Sequence, residues 1–97
     1  MKAILISFNQ AHLEDINTTF MHLNIKGYTG WDTLIGAGSK TGEPHLGSHA
    51  WPTLNSAYIT VVDDAKVKPL LDELKKLDEQ SPQLGLRAFA WNIEQAI

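Results

Sequence analysis

Lys2-Ala3-Ile4-Leu5-Ile6-Ser7-Phe8 opens the chain as a short run rich in Ile and Leu, ended by the polar pair Asn9-Gln10. Successive side chains of a strand point to opposite sides. Ala3 and Leu5 therefore share one face, and Ile4, Ile6 and Phe8 share the other. A strand that faces water alternates apolar with polar residues. This one is apolar on both sides, which predicts an interior strand.

The rest of the pattern builds outward from that strand. Gln10 to Asn24 reads as a helix, because Leu13, Ile16, Phe20 and Leu23 fall on one stripe. Asn9 is its N-cap candidate, and Glu14 and Asp15 sit where the helix dipole favours negative charge. Asn24 and Gly27 bracket its end. Tyr28 to Ile35 reads as a second strand, with Gly30 as a weak point or bulge. Ser56 to Val62 is a third, rich in β-branched residues. Asp63-Asp64 then offers N-cap chemistry to a helix carrying Val67, Leu70, Leu71, Leu74 and Leu77 on one side. Pro69 predicts an irregular start to that helix. Ser81-Pro82 breaks it, and Leu86 to Asn92 is a fourth strand. The order β-α-β-β-α-β is that of an α+β, ferredoxin-like sandwich, with two helices on one face of a four-stranded antiparallel sheet. Residues 1–97 read as a single domain with a long loop at 36–55.

Two helices cover one sheet face only, yet the strands carry apolar or aromatic residues on both. A lone domain would expose a large apolar patch, which soluble monomers rarely do. The pattern therefore predicts a homo-oligomer. Composition narrows the function classes. The chain has 97 residues and a formal charge of −3, with 43% hydrophobic and 20% charged residues. It lacks the clustered cations of a nucleic-acid binder. No apolar run approaches the roughly 20 residues a membrane helix needs. There is no cysteine, so disulfide and thiolate chemistry are excluded. The expected setting is cytoplasmic.

The segment Gly36 to Asn55 holds four of the seven glycines and two of the four prolines. Loops this long are commonly functional. Gly36-Ala37-Gly38-Ser39-Lys40-Thr41-Gly42 suits an anion, since glycines let backbone amides approach and Lys40 adds charge. It lacks the ending of a P-loop, and read alone it is more readily a glycine-rich turn leaving a strand. Glu43, His45 and His49 offer a carboxylate and two imidazoles for a divalent metal; the same histidines read as solvated loop residues. Trp51 is either an anchor for a partner or packing for the loop. His12 and His22 are expected in solvent. No catalytic constellation is visible, so the chain is not read as an enzyme.

The order and spacing of several motifs resemble the P-II signalling family, in its short and divergent P-II-like branch. They are Lys2-Ala3-Ile4, His12-Leu13-Glu14-Asp15-Ile16, Ile25-Lys26-Gly27-Tyr28-Thr29, Gly36-Ala37-Gly38, Val61-Val62-Asp63-Asp64 and Arg87-Ala88-Phe89-Ala90. The resemblance implies a homotrimer with ligand sites in intersubunit clefts. It also implies a loop, here 36–55, that reports occupancy to a regulated partner protein, such as a membrane transporter in nitrogen regulation. The family's ligand is ATP or ADP, and the matching positions are Gly36, Gly38, Lys40, Gly85 and Arg87. Arg87 stands where the family has a phosphate-binding lysine. The loop here reads Gly38-Ser39-Lys40-Thr41 in place of a glycine-Arg-Gln-Lys run, and the chain stops where the family places an Arg-Ile-Arg segment. The cofactor is thus open between a nucleotide held by fewer cations than usual and a divalent metal. The second reading resembles the cation-tolerance proteins of the same fold.

Overall fold

The computed structural model describes residues 1–36 and 54–97. The elements are β1 (Lys2–Asn9), a 3-10 turn (Gln10–His12), α1 (Leu13–His22), β2 (Thr29–Leu34), β3 (Asn55–Val62), α2 (Asp64–Gln80), a second 3-10 turn (Pro82–Leu84) and β4 (Arg87–Asn92). The strands form one antiparallel sheet in the order β2-β3-β1-β4. This is the expected ferredoxin-like α+β arrangement, with β1 interior between β3 and β4.

Ile4, Ile6 and Phe8 are fully buried and join Ile16 and Phe20 of α1 and Leu70 and Leu74 of α2 in the core. That is the helix-covered face. The register places the other set of β1 side chains in a separate layer. Leu5 lies between Ile59 and Phe89, and Ala3 lies between Val61 and Trp91. Trp31, Val61, Phe89 and Trp91 on this second face are each about half exposed. The open apolar face read from the sequence is present.

Local chemistry explains where the elements begin and end. The Asn9 side chain accepts a hydrogen bond from the Ala11 amide at 2.8 Å, so it caps the first 3-10 turn, and α1 begins only at Leu13. Asn24 adopts φ 57° after α1, a left-handed conformation that Asn tolerates better than most residues. Pro69 does not disturb the start of α2, which runs regularly from Asp64. The Asp63 carbonyl accepts from the Lys66 amide at 2.9 Å, so the helix is entered through backbone, with Pro69 in its second turn.

Gly30 has a different role from the expected bulge. It pairs with Tyr58, and a Cβ there would meet Tyr58 Cε1 at 2.9 Å. The missing side chain gives the tyrosine ring room to lie across β2. Tyr58 stacks on Tyr28 at 4.3 Å and meets Phe8 edge-on at 5.2 Å. The register shift falls instead between Trp31 and Leu34.

Burial pushes the Tyr58 hydroxyl above the ordinary tyrosine value, and the neighbouring Tyr28 adds to this. The hydroxyl donates to Asn17 Oδ1 at 2.8 Å. A phenol whose folded pKa is raised releases its proton first in the unfolded chain. Its contribution is therefore complete below about pH 10 and falls as pH rises toward the folded value. Urea unfolding between pH 7 and 11 should show a loss of stability above about pH 10 that is smaller in Tyr58→Phe. The variant should also start about 1 kcal/mol less stable at neutral pH.

Candidate functional site

The expected site residues divide into three groups. Gly38, Lys40, Glu43, His45 and His49, together with Trp51, lie outside the described residues. Gly36 stands just beyond β2, where a Cβ would overlap the Asn55 side chain. Gly85 and Arg87 stand at the entry to β4. Gly36 and Arg87 are at the same end of the sheet but near opposite edges. Three strand spacings, roughly 14 Å, separate their strands.

Arg87 reaches its place through a tight turn. Ser81 accepts at its carbonyl from the Leu84 amide at 3.0 Å, and the Gly85 amide donates to the Pro82 carbonyl at 3.2 Å. Gly85 then takes φ 70°, a left-handed conformation in which a side chain is strained. Leu86 turns into the core while Arg87 stays exposed. Arg87 lies opposite Ser7, which lies opposite Ala57, which lies opposite Trp31. That row crosses the open face at the loop end of the sheet. The guanidinium is not free. Its Nη1 donates to the Leu86 carbonyl at 2.7 Å and lies 3.7 Å from Asp78 Oδ1.

A polar node closes the other half of this end. Gln10 Nε2 and Ser56 Oγ both donate to the Asp32 carbonyl at 2.6 Å. The Gln10 amide donates to the Leu54 carbonyl at 3.0 Å. Asp32 lies within the register shift of β2, so its carbonyl is turned out of the ladder and is satisfied by side chains. Asn9, Asn55 and Ser56 are buried here. The residues that flank 37–53 are thereby fixed to the β1 end and to one another.

His12 corrects an expectation. It is buried, at 5% exposure, and its Nε2 has no hydrogen-bond partner among the described residues. His22 is exposed as expected. The spacing did carry a signal for His12, which lies four residues before Ile16 and eight before Phe20, on the side that is buried. Asp78 was missed as well, although it lies in the last turn of α2, where no basic residue offsets the helix dipole.

Among the described residues, no group of three or more His, Cys, Asp or Glu is placed to hold a metal. An open cleft of about 370 Å³ between the end of α1 and the start of β2 is lined by Asn17, Phe20, Met21, Asn24, Lys26 and Tyr28, among others. It contains none of the expected site residues. Among the described residues, no helix is long and apolar enough to cross a membrane.

An unpartnered buried nitrogen costs about 1–3 kcal/mol relative to an apolar group of similar shape. His12→Leu should therefore be at least as stable as the parent in urea unfolding. A clear loss of stability would show that the imidazole has a partner in the folded protein.

No family model matches the chain, and no curated protein matches it. Solved structures do. CPII from Thiomonas intermedia K12, bound to ADP and bicarbonate, superposes with a TM-score of 0.78 at 25% identity, over 95% of this chain and 84% of that one. The same protein, a nitrogen regulatory PII-like protein bound to ADP, AMP and bicarbonate, gives 0.79 at 24% identity over the same shares. Its apo form gives 0.67 at 20% identity, over 95% of this chain and 89% of that one. These neighbours do not favour the metal alternative. With the strand order, the helix pair and the motif order read above, they show that this chain has a P-II-like fold.

Proposed function

We propose that the protein is a trimeric P-II-like regulator that takes an adenine nucleotide, with bicarbonate as a second ligand, in clefts between subunits. It reports occupancy to a partner protein through residues 36–55. The carrying observation is the likeness, over 95% of the chain, to a PII-like protein that holds ADP and bicarbonate, combined with an arginine at the entry to β4.

Three features support the reading. Trp31, Val61, Phe89 and Trp91 form an open apolar layer of the kind that sister subunits cover. Gly36 and Arg87 are too far apart in one protomer for a compact anion to touch both, so a site using both needs an extended ligand or a contribution from a second copy. Arg87 offers a fixed fork of N–H donors suited to phosphate or carbonate oxygens. Gly85 leaves its approach open, since nothing lies within 4 Å of the position a Cβ would take. Gly36, Gly38 and Lys40 are assigned to the nucleotide as well. The reading is of a binding and signalling module that carries no catalysis.

Light scattering at micromolar concentration should give about three times the 10.8 kDa protomer mass. A monomer would remove the clefts and the proposal with them. A ligand at about a hundred times its Kd stabilises the folded state by about 2.7 kcal/mol. ADP, alone and with bicarbonate, should therefore raise the melting temperature by several degrees, and Arg87→Ala should abolish that rise. A shift with zinc but none with nucleotide would favour the metal reading through Glu43, His45 and His49.

A further inference from the structure

The ion pair between Asp78 and Arg87 has no explanation in the stability of α2. Asp78 lies in the last turn of the helix, where the dipole disfavours negative charge. Its Oδ1 is buried and has no hydrogen-bond partner among the described residues, an arrangement that costs stability. The nearest compensation is the Arg87 guanidinium at 3.7 Å, beyond hydrogen-bond reach. Arg87 meanwhile spends one N–H on its own strand, at the Leu86 carbonyl. The fork is thus folded back toward the helix layer, although its strand neighbours Phe89 and Trp91 face the open layer.

We infer that Asp78 is a resident competitor for Arg87: a carboxylate that occupies the guanidinium when no anion is bound and sets the affinity with which one binds. This rests on the reading of Arg87 as an anion-binding residue and adds the group that tunes it. Arg87 carries five N–H donors. Those not given to Leu86 are available to an incoming phosphate or carbonate oxygen. An anion seated there shares the cation with Asp78 and feels its negative charge across a few ångströms. Asp78 therefore weakens binding, and does so more for a doubly charged pyrophosphate group than for a singly charged anion. Asp78 is a positioning residue and touches no ligand atom in this account.

The test is calorimetric titration of the full chain with ADP and, separately, with inorganic pyrophosphate. The proteins are the parent, Asp78→Asn, Arg87→Ala and the double variant. The Arg87 Nε–H NMR signal is followed as a direct readout of that side chain. Asp78→Asn keeps the shape and removes the charge. It should tighten both anions about two- to fivefold, the scale of a partly exposed ion pair, and should shift the Arg87 signal before any ligand is added. Arg87→Ala should remove most binding, and in that background Asp78→Asn should have no further effect. Asp78→Ser, which also lacks the charge, should reproduce the gain if Asp78→Asn folds poorly.

Unchanged or weaker binding in both Asp78 variants, with Arg87→Ala still defective, would overturn the inference and leave the nucleotide reading standing. Tighter pyrophosphate binding in Asp78→Asn with no ADP binding in any protein would uphold the inference and overturn the nucleotide reading. Failure of both anions to bind or to move the Arg87 signal in any variant would overturn both.

Discussion

A single interior strand with apolar side chains on both faces sets the terms for the rest of this structure. Ile4, Ile6 and Phe8 bind the sheet to both helices, and complete burial of such side chains stabilises by about 1.5–3 kcal/mol each. The opposite face of the same strand has no helix to meet. Ala3 and Leu5 lie between apolar and aromatic residues of β3 and β4, which builds an apolar layer together with Trp31, Phe89 and Trp91. The covered face holds the protomer together. The uncovered face is where the proposal places sister subunits. The proposal of sites between subunits follows from that asymmetry.

The fold was legible because its signals are local and redundant. Alternation in β4, the stripe in α1 and the β-branched run in β3 each specify an element, and their order specifies the topology. Asn9 as a cap and Asn24 as a helix end were readable from side-chain chemistry alone. Gly30 and Pro69 were not. Glycine in a strand marks either a bulge or a close approach, and only the tertiary position of Tyr58 selects the second. The extent of irregularity at Pro69 depends on where the helix starts, which the backbone turn at Asp63 settles.

The candidate site was less legible, for a physical reason. Arg87 and Gly85 could be read from motif spacing, since they sit in one short segment. Their controlling contacts come from elsewhere in the chain. Asp78 reaches Arg87 from the preceding helix. The Asp32 carbonyl is satisfied by Gln10 and Ser56, 22 and 24 residues away. His12 shares the buried side of Ile16 and Phe20 at four-residue spacing, but as a polar residue it was not counted with the apolar stripe. Long-range polar contacts leave no periodic trace in a sequence, whereas apolar faces do.

Buried polar groups gather at the loop end of the sheet, where the proposed site lies. Asn9, His12, Asn55 and Ser56 are buried together where β1 ends and β3 begins, and the buried oxygen of Asp78 approaches Arg87 where β4 begins. Each such group needs a partner to be tolerated. An apolar side chain at position 12 would bury no nitrogen, whereas His12 Nε2 has no hydrogen-bond partner among the described residues. Sequences depart from such local rules mainly where function requires it. Here the departures gather at one end of one sheet, beside the arginine and the two ends of the 37–53 segment. Thr60, toward the opposite end, donates to the Gly27 carbonyl at 2.5 Å, as Ser56 does to Asp32 at the loop end. On the proposed reading, a ligand that pairs with Arg87 binds beside these polar contacts, at the end of the sheet from which the 37–53 segment leaves.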